Sequence, residues 1–182
     1  MRNNYVRRIV LTALIAAIVF VATYFSQYIF PVSLLFPGST GYFNIGDIII
    51  IACALAIGEK YIWLAGGLGS AISDILLGWA IYSPFTFVIK SLEGLVIWLI
   101  AKAVKRMAKG KWVVLIAAAI AGSAIMISGY FLTDWLIYGL NTAIANTLMN
   151  CIQGAAGTAG GYMLGMILRV KSIQRAINWK SA

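Results

Sequence analysis

Histidine is absent from this chain, and it contains only five acidic residues, three prolines and two cysteines. Without imidazole there is neither the usual general base for hydrolysis at neutral pH nor an imidazole metal ligand, and two cysteines cannot build a four-ligand zinc site. No metal site, resident cofactor or hydrolytic chemistry is expected. Cys53 and Cys151 each fall inside an apolar run, where a thiol packs as a small hydrophobe, so a disulfide framework is not indicated. Charge is also scarce. Only 10% of the residues are charged and 62% are hydrophobic, against about 25% charged in a soluble domain. That leaves too little polar surface to face water, and the chain reads as one integral membrane domain over residues 1–182. The formal charge of +9 comes from fourteen Lys and Arg that sit beside apolar runs. They report membrane topology rather than nucleic-acid binding.

Apolar runs between polar breaks predict six helices: Ile9 to Phe30, Ile45 to Ile57, Tyr61 to Gly78, Pro84 to Ala101, Val113 to Leu132 and Asn141 to Leu168. The chain allows about 30 residues per helix plus loop, enough for spans of roughly 20 residues. The second run reaches only about 20 Å at ~1.5 Å per residue, so either its flanks continue it or the preceding loop fills part of the depth. The first run exceeds a signal-peptide core and no A-x-A site follows it, so it is expected to persist as a helix. Arg2, Arg7 and Arg8 precede the first helix, Lys102, Lys105, Arg106, Lys109 and Lys111 separate the fourth and fifth, and Arg169, Lys171, Arg175 and Lys180 follow the sixth. With six crossings these segments share one side with the Glu59-Lys60 turn. By the positive-inside rule that side, with both termini, is cytoplasmic. The outer loops hold no Lys or Arg. The first, Pro31 to Gly46, is long and apolar-aromatic and reads either as a lid or as an interfacial segment anchored by Tyr42 and Phe43. The second is Trp79 to Ser83 and the third about Thr133 to Leu140.

An ionisable residue within a span costs at least ~2.5–3.5 kcal/mol to insert and needs a reason. Asp74 falls about 20 Å up the third helix, and Lys90 and Glu93 about 9 and 14 Å below the outer surface, so the three share a level. Lys90 and Glu93 are i, i+3 neighbours. One reading is a buried tie in which Lys90 neutralises Glu93 or Asp74. The other is a ligand site, favoured for Asp74 because a carboxylate in a C-terminal helical turn opposes the dipole and calls for a cationic or hydrogen-bonding partner. Asp47, at the start of the second helix in FNIGD, is expected to cap free amides. On the sixth helix Asn146, Asn150 and Gln153 offer donors and acceptors suited to a heteroaromatic ring edge, with interhelical hydrogen bonding as the alternative.

Trp79, Tyr82, Trp98, Trp135 and Tyr138 supply aromatic surface, as an interfacial belt or as stacking walls for a planar ligand. Ala13 and Ala17 form a small-x-x-x-small pattern on the first helix, which by itself favours internal packing, and Gly157, Gly161 and Gly165 form another on the sixth, read as internal packing or a bend. No G-x-x-x-x-G-K-[ST] occurs, so any coupling to ATP requires partner chains.

The ordered segments GYFNIGDIIIIACALAIG, AGGLGSAISDILLGW, YSPFTFVIKSLEGL and NCIQG resemble the substrate-capture S component of energy-coupling factor (ECF) vitamin transporters, over residues of about 5 to 170. Within that family the chain is most similar to the hydroxymethylpyrimidine and pyridoxamine branch. The resemblance implies an all-α bundle of six transmembrane helices that binds a vitamin from outside beneath the first loop. It also implies toppling of the subunit in the bilayer, and partnership with a scaffold membrane subunit and two ATPases. It makes Ala13 and Ala17 the scaffold-docking face and places ligand residues at Asn44, Lys90, Glu93, Trp135 and Gln153, to which the polar residues at shared depth add Asp74 and Asn150. The expected function is capture of a small, planar, nitrogen-containing vitamin, without enzymatic activity. Riboflavin is the alternative ligand, and a structural subunit or a small membrane enzyme using Asp74 and Glu93 are rivals from other classes.

Overall fold

The computed structural model describes residues 2–29, 42–57, 61–104 and 110–170, with side chains from Tyr5 onward. The body of the first outer loop, the Glu59-Lys60 turn, Lys105, Arg106, Lys109 and the basic residues beyond Val170 lie outside the described residues. Six helices and no strand are present among the described residues: α1 (Arg2–Ile29), α2 (Gly46–Ala56), α3 (Ile62–Leu76), α4 (Ser83–Val104), α5 (Lys111–Tyr138) and α6 (Leu140–Leu168).

Spatial order departs from chain order. The helices α1, α3, α4, α5 and α6 pack side by side in that sequence, and α2 inserts among them, touching all five and lying chiefly on α6. The reason is compositional: α2 is apolar on every side, and a helix without a polar face is stable only when enclosed. Gly46, Asp47 and the whole stretch from Ile50 to Ala56 are buried. The five outer helices instead show an apolar periphery, with Leu14, Val113, Leu136 and Met163 among many large exposed hydrophobic side chains, more than a water-facing surface tolerates. Two helical stretches, Tyr5–Ile29 and Lys111–Tyr138, are each long and apolar enough to cross a membrane, with mean hydropathies of 2.4 and 2.1. α4 and α6 have the length, but polar side chains such as Lys90, Glu93 and Gln153 interrupt them.

α2 has 11 residues and therefore spans about 16 Å. Of the two expectations for this short run, the structure takes the second: the chain before α2 enters the bundle without being helical, and Asn44 there is 6% exposed. The C-terminal end of α2 is anchored by Arg169, at the end of α6, whose Nε and Nη2 donate to the Leu55 carbonyl at 3.0 and 2.6 Å. This satisfies an orphan acceptor and places a cation at the negative pole of the helix.

The expected third outer loop, Thr133 to Leu140, is not found. The stretch TDWLIY holds no helix breaker, so α5 runs on to Tyr138, and Gly139 alone joins it to α6. Its φ of +88° lies where a Cβ is strained. The Gly157, Gly161 and Gly165 face is internal, packed on α2 near Asp47, Ile51 and Leu55. Ala13 and Ala17 are exposed, against the internal packing their pattern alone favours, while the Ala16 backbone lies against Gly69 of α3. Cys53 packs in the core but Cys151 is exposed, correcting its reading as packing.

A Cβ at Gly161 would stand 2.6 Å from the Ile51 Cβ. Gly161→Leu is expected to destabilise the bundle by roughly 1–3 kcal/mol or more through overpacking. Ala155→Leu, at an exposed position of the same helix, is expected to leave thermal unfolding in detergent unchanged.

Candidate functional site

At one end of the bundle the C-termini of α3 and α5 meet the N-termini of α4 and α6 around a cavity of about 700 Å³, its open mouth included. Tyr42 and Asn44 line it from the segment before α2, Asp74 from α3, Trp79 and Tyr82 from the α3–α4 connection and Thr86 from α4. Tyr130 and Asp134 of α5 and Asn146, Met149, Asn150 and Gln153 of α6 complete the wall. Pro84 occupies the first turn of α4, where a missing N–H costs nothing, so the helix can begin at the cavity rim.

Two aspartates face this space. Asp74 accepts a hydrogen bond from the Tyr42 hydroxyl at 2.7 Å. Asp134 accepts one from the Tyr82 hydroxyl at 2.6 Å and another from Asn146 Nδ2 at 3.1 Å. Thr86 and Tyr130 hydroxyls pair at 3.2 Å, and Trp79 Nε1 donates to Gln27 of α1 at 3.2 Å. No Lys or Arg is among the described lining residues.

Beneath the cavity lies a closed polar knot. Lys90 Nζ donates to Asp47 Oδ1 and, at 3.2 Å, to Glu93 Oε2. The three side chains are 0–1% exposed. Tyr130 roofs the ammonium with its ring centroid 5.4 Å away, a cation–π contact. Gln153 then ties the knot to the cavity wall: its Nε2 donates to Asp47 Oδ2 at 2.6 Å, and its Oε1 accepts the Asn44 backbone N–H at 3.0 Å.

The expected site residues therefore separate. Asn44, Asp74, Asn150 and Gln153 line the cavity, although both ends of the Gln153 amide are held by protein groups. Lys90 and Glu93 do pair at i, i+3, but below the wall and fully enclosed, and the second partner of Lys90 is Asp47 rather than Asp74. Trp135 is 50% exposed and packs on Phe131, 6.3 Å between ring centroids. Because α5 continues past it, no loop turns Trp135 inward. Asp47 is not the cap expected of it. That role falls to Asn44, whose Oδ1 accepts the Gly46 N–H at 2.7 Å. Asp134 falls in the stretch expected as the third loop and belongs instead to α5. Its signal is the absence of any breaker between Thr133 and Gly139, which carries the helix through it.

Removing the Lys90 ammonium would leave two carboxylates enclosed without a cation. Lys90→Met is expected to cost about 3–5 kcal/mol of stability, read as a lowered unfolding midpoint in detergent. Lys90→Met combined with Asp47→Asn is expected to recover part of that loss.

Residues 3–170 match the family of ECF-type riboflavin transporter S components. An uncharacterized protein of Pyrococcus woesei, from a gap 3' region, is 32% identical over 133 residues, covering 73% of this chain and 86% of that protein. The thiamine precursor transporter HmpT of Lactococcus lactis subsp. cremoris is 25% identical over 158 residues, covering 86% of this chain and 84% of HmpT. No solved structure matches the chain. By the extent of the family match and the identity shared with the Pyrococcus protein, this chain belongs to the membrane-embedded S-component family of ECF transporters.

Proposed function

We propose that the chain captures a small, planar vitamin carrying an amino group, with a hydroxymethylpyrimidine-type thiamine precursor as first candidate and pyridoxamine in the same chemical class. The observation that carries this reading is the pair Asp74 and Asp134, both turned into an aromatic-walled cavity and both hydrogen-bonded, among the described residues, to neutral hydroxyl and amide donors. A carboxylate in such surroundings is best satisfied by a charged or strongly polarised N–H, which makes the stronger class of hydrogen bond. Tyr82, Tyr130 and Trp79 offer ring faces or edges to a flat ligand. Similarity to HmpT supports the pyrimidine. The description of the matching family favours riboflavin as the second reading, with the same cavity holding a larger ring.

The basic residues at the ends of α4 and α6 and in the first turns of α1 support a cytoplasmic placement of both termini, with the cavity opening outward. The segment before α2, with Tyr42 and Asn44 on the cavity wall, supports a lid role for the first outer loop. No nucleotide-binding loop exists in the sequence, so energy comes from a scaffold subunit and two ATPases. Ala13 and Ala17, small and exposed on α1, form the face proposed for the scaffold. A membrane enzyme is disfavoured because Glu93 is sealed under the cavity floor and cannot work with Asp74 on a substrate. A purely structural subunit is disfavoured because the ion-paired knot leaves the cavity open above it.

Isothermal titration of the purified protein in detergent with 4-amino-5-hydroxymethyl-2-methylpyrimidine, pyridoxamine and riboflavin tests the ligand class. Binding of an amino-bearing ring, weakened at least ~10-fold by Asp74→Asn, is expected from loss of a charged hydrogen bond. Yellow colour copurifying with the protein would shift the assignment to riboflavin, and no affinity for any of the three would reject it. In coexpression pull-downs, Ala13→Trp with Ala17→Trp is expected to abolish capture by the scaffold–ATPase module while leaving ligand binding intact. Undiminished capture would remove the docking face.

A further inference from the structure

The cavity has a charge character that goes beyond the choice of ring. Negative C-terminal ends of α3 and α5 and positive N-terminal ends of α4 and α6 meet at this side of the bundle, so the helix dipoles offset one another. Side-chain charge is left to decide. Asp74 and Asp134 are 5% and 3% exposed and face the cavity, while Lys90, the cation beneath it, is wholly enclosed and engaged by Asp47 and Glu93. The described wall itself therefore holds two carboxylates and no basic side chain, and the Lys90 charge reaches Asp74 from below while Asp134 has neutral donors.

Asp134 is fixed at both carboxylate oxygens. Tyr82, from the α3–α4 connection, and Asn146, from α6, each hold one of them, whereas Asp74 pairs with the Tyr42 hydroxyl and interacts with Thr86 and with the Lys90 charge. Two neutral donors from separate elements orient the Asp134 carboxylate without neutralising it. That arrangement receives an N–H or a cation well and repels a phosphate, because screening is weak away from bulk water.

We propose that the cavity selects by charge: it accepts the free vitamin and rejects the phosphate monoester of the same vitamin, with Asp134 as the specificity-determining residue. This rests on the capture reading above, and it adds an exclusion that ring shape alone does not supply.

The test compares dissociation constants in detergent for 4-amino-5-hydroxymethyl-2-methylpyrimidine against its phosphate monoester, and for riboflavin against flavin mononucleotide. The wild-type protein is expected to bind the ester at least ~100-fold more weakly. Asp134→Asn, nearly identical in shape and still able to accept from Tyr82, is expected to narrow that ratio by ~10-fold or more, with ligand-free thermal unfolding reporting that the variant folds. An ester bound within about threefold of the free vitamin overturns the proposal, and so does a ratio unchanged in Asp134→Asn. If no free vitamin binds, the substrate class falls, and charge selection is read from thermal protection by simple probes. Benzylammonium stabilising the wild type but not Asp134→Asn, with benzoate stabilising neither, supports it. Equal or absent protection by the two overturns it.

Discussion

The ion pair between Lys90 and Asp47 is the contact on which the rest of the bundle depends. A helix such as α2, apolar on all sides and enclosed by five others, gains stability from burial but no orientation, since hydrophobic contact is non-directional. Ile50, Ile51 and Leu55 contribute burial through contacts that carry neither charge nor hydrogen bond. An ammonium that must be answered inside the bundle removes that freedom. Asp47 has to point at Lys90 and, through its second oxygen, at Gln153, which sets the rotation and depth of α2 against α4 and α6 together. Breaking such a pair is expensive because of what it strands, so its value lies in specifying one arrangement more than in net stability.

From the same knot the order extends upward. Gln153 spends both ends of its amide on joining Asp47 to the Asn44 backbone, and Ser26 of α1 takes the next backbone N–H, that of Ile45, at 2.9 Å. The segment entering the bundle ahead of α2 is thus held by side chains from two helices in place of a regular hydrogen-bond ladder, as irregular backbone at membrane depth requires. Floor and wall consequently have different duties. The floor residues Lys90, Glu93 and Asp47 are engaged with one another and with Gln153, Glu93 Oε1 alone lacking a hydrogen-bond partner among the described residues. The wall residues Asp74 and Asp134 have neutral hydrogen-bond partners there.

Much of this was legible in the sequence because the bilayer imposes such simple demands. Runs of apolar residues of the right length, broken by Gly and charge, gave the number and order of the helices. The pairing of Lys90 with Glu93 followed from helical spacing, and the glycine face of α6 from the rule that small residues let helices approach. Two kinds of information were not local. That α2 sits among the other helices, beside α6, is a matter of packing, and it turned Asp47 from a presumptive helix cap into the counter-ion of Lys90. The extent of α5 turns on Gly139 alone, and placing a loop at Thr133 removes Asp134 from the membrane-depth residues and turns Trp135 toward a cavity that it does not line. Both misreadings arose at helix ends, where a shift of a few residues changes the direction of every side chain beyond it.

The brevity of α2 has a geometric consequence. Arg169 pins its C-terminal end level with the end of α6, so all of the length it lacks relative to a ~30 Å hydrocarbon core is missing from the opposite side, above Gly46. The vacancy for a guest is the space this truncated helix does not fill, and the surrounding five helices need not bend or part to create it. Moving the starting residue of α2 by one turn would raise or lower the chamber's base by about 5.4 Å. A single frame could in this way be fitted to guests of different length without rebuilding its walls.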